Sequence, residues 1–153
     1  MVCSNADRLP VMQVQVFRLQ WRRRRRFGGR WNPVGVPAIY LAQTRALCIL
    51  ERLVHLVRLP HDEAFTRVYI PPGMPTVNLK RRDLPPGWDD PVESSKTQQM
   101  GAGLIQQGVA VLKVPSIIVP GEWCFVLNPE SENFAQIKFG QPVPHKYDRR
   151  LRY

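Results

Sequence analysis

Carboxylates are scarce in this chain. Only 12 Asp and Glu stand against 22 Lys and Arg, a formal charge of +10 with a pI near 10.3. So few acids argue against a carboxylate-built magnesium site. The basic excess favours polyanions as partners: nucleic acid, dinucleotides or an acidic protein. Cysteine is also sparse. Cys3, Cys48 and Cys124 have no paired spacing, and His55, His61 and His145 are far apart in sequence, so neither a disulfide framework nor a zinc motif is expected. That usage is the usage of a reducing cytoplasm. No segment approaches the ~20 apolar residues of a membrane span, and the first residues carry no apolar run of signal-peptide length. Walker and Gly-x-Gly-x-x-Gly loops are missing, as is any supportable Ser-His-Asp or Cys-His arrangement.

What is present suits a folded domain. The 153 residues fit one domain (core about 14–150, with 1–10 as a lead-in), and 44% hydrophobic content makes global disorder implausible. Val11–Leu19 alternates as a strand does, and Ala38–Ala42 is short, apolar and strand-like. Thr44 can cap a helix running to about Val57, stopped before Pro60. On a helical wheel Ala46, Ile49, Leu50, Leu53 and Val57 form its core stripe. Arg45, Cys48, Arg52 and His55 lie opposite, and Glu51 falls on the boundary. Further strands are expected at Arg67–Ile70, Val109–Val114, Trp123–Leu127 and Phe134–Phe139, with a modest helix at Ser95–Gln107 weakened by Gly101 and Gly103. Met74–Val92 reads as a long proline-rich loop able to cover a site. The fold class is α+β: a mixed, mostly antiparallel strand core, one strongly marked helix and long loops.

Several residues stand out chemically, each with a structural and a functional reading. Arg22–Arg26 is either a solvated arm or a phosphate-tracking run. Arg18 is an edge-strand charge or a cation facing a pocket. Gly28-Gly29 is a turn, or a place where backbone approaches a ligand ahead of Arg30, whose guanidinium can fork onto phosphate oxygens. Trp31 is a packing residue or a stacking platform. Tyr40, between Ala38 and Ala42, is a core tyrosine or the wall of a roomy face. Glu51 is a surface glutamate or a half-desolvated stabiliser of positive charge.

Six ordered motifs carry a family resemblance. They are Gly29-Arg30-Trp31-Asn32-Pro33, Ile39-Tyr40-Leu41-Ala42, Leu50-Glu51-Arg52-Leu53-Val54-His55-Leu56, Leu84-Pro85-Pro86-Gly87-Trp88, Val114-Pro115-Ser116 through Glu122, and Leu127-Asn128-Pro129. Together they resemble the RES domain over roughly residues 14–150. The arginine run between Trp21 and Phe27 departs from that pattern. The resemblance implies a fold similar to ADP-ribosyltransferases and a cytoplasmic toxin paired with an Xre-type antitoxin that blocks its site. Contact with nucleic acid would then come only through the antitoxin. The implied activity is cleavage of NAD at the nicotinamide–ribose bond, by phosphorolysis to ADP-ribose 1-phosphate or by hydrolysis, or else ADP-ribosylation of a protein. NAD would be substrate rather than cofactor, inorganic phosphate a co-substrate, and no metal is implied. Carried over by position, Arg30, Tyr40, Glu51 and Ser116 are the catalytic set. Arg18, Arg30, Trp31, Asn32, Tyr40, Ser116 and Asn128 are the NAD-binding set.

A different class of protein, a basic nucleic-acid-binding module, would use Arg22–Arg26 on phosphates and Trp31 or Tyr40 to stack bases. It leaves Glu51 without a purpose, because a carboxylate repels phosphate.

Overall fold

The structure, a computed structural model, describes residues 12–17, 26–61, 63–92 and 94–151. Arg18 and Arg22 to Arg25, named above, lie outside the described residues. One sheet gathers every described strand: β1 (Met12–Phe17), β2 (Ile39–Ala42), β3 (Glu63–Ile70), β4 (Thr76–Asn78), β5 (Val111–Pro115), β6 (Trp123–Leu127), β7 (Lys138–Phe139) and β8 (Val143–His145). Its order is β4-β5-β6-β2-β1-β3-β7, with β8 also pairing β3. Only β4 and β5 run parallel; the other pairings are antiparallel. Two α-helices lie whole within the described residues, α1 (Arg45–Leu53) and α2 (Ser95–Gln106). The mixed α+β architecture expected from the sequence is the one observed.

Strand alternation sorts the core into two faces. Ile39 and Leu41 of β2, Val111 of β5, and Phe125 and Leu127 of β6 pack with Val68, Ile70, Met74 and Ile137 on one side. On the other, Leu112, Val114 and Val126 pack with Trp31, Ala38, Leu79 and Trp88, and Tyr40 and Cys124 flank them. Register fixes this second face across three strands: Tyr40 stands opposite Val126, Ala42 opposite Cys124, and Cys124 in turn opposite Val114. Helix α1 closes the same side through Leu47, Cys48 and Leu53 against Ala42, Phe65 and Tyr147.

Several elements depart from expectation. Helix α1 begins as foreseen, with Thr44 Oγ1 accepting the Leu47 N–H at 3.0 Å, but it ends at Leu53 rather than near Val57. Beyond it, His55 N–H and Leu56 N–H reach back only three residues, to Arg52 and Leu53 carbonyls, tightening the chain into turns. The helix is also rotated from the wheel assignment. Leu47 and Cys48 are buried, while Ala46 and Leu50 are exposed, as is Val57 beyond the helix end. The rotation turns Glu51 and Arg52 toward partners inside the protein, and desolvated charges hold it there because each finds hydrogen-bond donors or acceptors. Strand β3 starts four residues before Arg67. Thr76–Asn78 forms a short strand inside the expected loop, and Phe134–Gln136 is a 3₁₀ turn where strand was expected, leaving β7 only two residues.

Helix α2 forms despite its glycines, and one of them explains its position. A Cβ on Gly101 would fall 2.0 Å from the Trp31 carbonyl oxygen, whereas one on Gly103 would meet nothing within 4 Å. The helix therefore lies directly on the Trp31 backbone, and only glycine permits that approach. Opposite signs are expected for the two alanine substitutions. Gly101→Ala should destabilise by about 2 kcal/mol or more through overpacking, while Gly103→Ala should stabilise by roughly 0.5–1 kcal/mol. Urea unfolding of the two variants checks both signs.

Candidate active site

The site is built from the bottom of the second face upward. Glu51 lies two-thirds of the way along α1, one turn after the buried Leu47 and Cys48, and this spacing carries its carboxylate to the sheet. There its Oε1 accepts a hydrogen bond from Ser116 Oγ at 2.8 Å and a second from Cys124 Sγ at 3.3 Å. Ser116 follows the last residue of β5 and is 1% exposed. Its oxygen accepts the Ile118 and Val119 N–H groups at 3.1 and 3.0 Å. Those two bonds explain why the apolar run Ile117–Val119 makes a turn instead of a strand. They also use the acceptor side of the hydroxyl, so its single proton is directed at Glu51. Ser116, expected to orient a ligand, here directs its proton at the glutamate.

Burial and the nearby Glu51 charge push the Cys124 thiol far above its usual range, so it remains a protonated donor. No local pattern marks this contact, because a single cysteine in an alternating strand has no spacing to read. Knowledge of the β2–β6 register would have been needed to find it.

The glycine–arginine loop is a second constellation. Arg30 donates through Nη1 to the Trp88 carbonyl at 2.8 Å and through Nη2 to the Asp90 carbonyl. The forked guanidinium thus grips the backbone of the Leu84–Pro91 loop. Tyr40 Oη accepts the Trp31 N–H at 2.8 Å and donates to Asn32 Oδ1 at 2.7 Å. Asn32 Nδ2 donates to the Val36 carbonyl at 2.7 Å, and the side chain has no exposed surface. Gly29 allows this arrangement, since a Cβ there would lie 2.6 Å from the Tyr40 hydroxyl. The close approach foreseen at this glycine is made to a tyrosine of the same chain.

The expected ligand-binding set therefore divides. Arg30, Tyr40, Glu51 and Ser116 sit on one side of the sheet or on the loop packed there. Trp31, at 3% exposure, and Asn32, both named in the expected binding set, are interior residues that shape the loop. The physical reason is that the indole packs in the apolar cluster with Ala38, Leu112 and Val114, while the Asn32 amide is satisfied by Tyr40 and the Val36 carbonyl. Asn128 is likewise buried, with Nδ2 donating to the Ile105 carbonyl and Oδ1 accepting the Glu130 N–H. It ties the β6 exit to the end of α2. Burial of Trp31 also removes one of the two aromatics that a base-stacking surface would require.

A third network escaped the sequence reading. Arg52, assigned to the solvent side of the helix, donates through Nε to Glu63 Oε1 at 2.8 Å, with Nη2 at 2.7 Å from the same oxygen. Tyr147 Oη donates to Glu63 Oε2 at 2.6 Å. One buried carboxylate thus joins α1, β3 and the segment after β8.

Comparison with known proteins agrees with this architecture. The RES domain family matches residues 14–148. A protein named Toxin Res from Photorhabdus laumondii is 37% identical over 111 residues, covering 71% of this chain and 70% of its own. One named Prs ADP-ribosylating toxin, from Sphingobium sp., is 35% identical over 129 residues, covering 81% and 80%. Among solved structures, a chain of the M. tuberculosis MbcT–MbcA toxin–antitoxin complex superposes with a TM-score of 0.72 over 89% of this chain and 85% of that one. At 18% sequence identity it testifies to the fold alone. The chain belongs to the RES domain family. Among its described residues no helix is long and apolar enough to cross a membrane.

Removing one donor from the Glu63 network should be costly, because hydrogen bonds to buried charges contribute more than neutral ones. Tyr147→Phe is expected to lower stability by roughly 2 kcal/mol. Chemical denaturation, compared with the exposed control Val92→Ala, measures the difference.

Proposed function

We propose that this protein is the toxin of a toxin–antitoxin pair and that it cleaves NAD between nicotinamide and ribose. Phosphate is the favoured acceptor, with water as the simpler alternative. Family membership supports the toxin assignment, as do relatives named Toxin Res. The observation that carries the chemistry is the half-buried Glu51 carboxylate, fixed through one oxygen by Ser116.

The residue types suit this reaction. Nicotinamide leaves a positively charged ring as a neutral molecule, so departure needs little help from a general acid. The ribose C1′–N bond breaks with its electron pair going to the ring nitrogen, and positive charge develops on the ribose as in glycoside cleavage. A carboxylate at that centre stabilises the developing charge and holds a ribose hydroxyl, which is the role given to Glu51. A phosphate oxygen then bonds to C1′, yielding ADP-ribose 1-phosphate. Arg30, with Arg18 from the adjoining segment, would neutralise the pyrophosphate, and the Tyr40 ring would flank the nicotinamide end. Trp31, Asn32 and Asn128 serve as framework for these groups. NAD is consumed as a substrate, and the scheme uses no cofactor or metal. An Xre-type antitoxin would silence the enzyme by covering the cleft. A basic toxin suits an acidic partner surface.

A second reading, transfer of ADP-ribose to a protein side chain, has a specific point in its favour: the relative named Prs ADP-ribosylating toxin is 35% identical over most of the chain. The same bond breaks in both reactions and only the acceptor differs.

Phosphorus NMR of antitoxin-free protein with NAD, with and without inorganic phosphate, tests the proposal. Phosphate-dependent ADP-ribose 1-phosphate is the expected product. ADP-ribose in both samples would indicate hydrolysis, and intact NAD in both would overturn the glycosidic-cleavage reading unless a protein acceptor restores turnover. Glu51→Gln should lower kcat by about 10²–10³ without altering the far-ultraviolet circular dichroism. Full activity in that variant would remove Glu51 from the mechanism.

A further inference from the structure

We propose that Cys124 is a positioning residue for Glu51: its thiol and the Ser116 hydroxyl clamp the same carboxylate oxygen, Oε1, and leave Oε2 to face the substrate. This inference rests on the assignment of Glu51 as the reacting carboxylate.

The geometry carries the argument. Both donors converge on Oε1, at 2.8 Å from Ser116 Oγ and 3.3 Å from Cys124 Sγ, while Oε2 accepts no bond from the described residues. A carboxylate held by one donor still swings about that bond. Two donors arriving from different strands, the end of β5 and the start of β6, remove the swing. The strands themselves are locked in register, with Val114 opposite Cys124 and Pro115 opposite Trp123. Ala42 lies opposite Cys124 on its other flank, and its small side chain leaves the thiol room to reach α1.

Other roles fit this cysteine less well. A nucleophilic cysteine needs a depressed pKa, and here burial first, then the Glu51 charge, drive it upward. Cys124 forms no structural disulfide: its thiol is free. No group of three or more potential ligands among the described residues could hold a metal. A thiol that stays protonated beside a carboxylate is well suited to donating a hydrogen bond, since its ionised form would repel Glu51.

Because the clamp acts on a group that matters most when ribose charge develops, its loss should appear in kcat rather than in KM. Cys124→Ala and Cys124→Val both remove the donor, the second while retaining bulk. Each is expected to lower kcat for nicotinamide release about tenfold, with KM for NAD little changed. Cys124→Ser restores a donor and should recover most of the lost rate. Unchanged kcat in the alanine and valine variants overturns the proposal. So does a serine variant as slow as alanine, which would make side-chain volume rather than hydrogen bonding the cause.

A spectroscopic readout separates this proposal from the assignment of activity. The Raman difference between wild-type protein and Cys124→Ala isolates the Cys124 S–H stretch. A frequency lowered by a strong acceptor, rising in Glu51→Ala, supports the clamp even in protein that leaves NAD intact, in which case it is the reaction assigned to Glu51 that falls. A free-thiol frequency in wild-type protein overturns the clamp whatever the enzyme's activity.

Discussion

A single carboxylate oxygen joins helix α1 to the end of one strand and the start of the next. Glu51 stands on a nine-residue helix, too short to persist in water without tertiary support. Its position is set by what the side chain meets: a hydroxyl at the end of one strand and a thiol at the start of the next. The helix is rotated accordingly. Ala46 and Leu50 are left in solvent while Cys48, Glu51 and Arg52 turn inward or along the boundary. Hydrophobic burial on this helix therefore yields to polar satisfaction. An unpartnered carboxylate at the sheet would cost more than two exposed aliphatic side chains.

The same logic recurs on either side. Glu63 gathers Arg52 and Tyr147, so α1 is pinned through consecutive residues to two different places, the strand ends by Glu51 and the β3–β8 edge by Arg52. Asn32 gathers Tyr40 and the Val36 carbonyl and so shapes the loop that presents Arg30. Three buried or half-buried polar side chains thus act as local hubs. Each replaces a patch of apolar packing by directed bonds, which hold one geometry where packing alone would tolerate several.

The periodic parts of the fold were legible in the sequence. Alternation marked β1, β2 and β6, and the Thr44 cap located the start of α1. Proline and glycine punctuation separated the later strands. Legibility failed where a residue's environment depends on distant chain. The wheel set Leu50 and Val57 inward because hydrophobicity is a property of the residue, whereas the acceptors for Arg52 and the donors for Glu51 lie 11 to 73 positions away. Glycines 101 and 103 looked alike as helix breakers, and only the Trp31 backbone distinguishes them. In the candidate site the motif positions came from family resemblance. The physical reading of Tyr40 as a core tyrosine with its hydroxyl satisfied describes what it contacts, and nothing local marked Cys124.

Arg30 illustrates how such a site can change over time. Its guanidinium holds Trp88 and Asp90 by their carbonyl oxygens, groups that every residue possesses. The grip is therefore indifferent to side-chain identity along much of the loop it anchors. Mutations at an exposed loop position such as Asp89 can accumulate without releasing the anchor, provided the backbone path is kept. That stretch of surface is thus free to drift in charge and shape while the framework beneath it stays fixed.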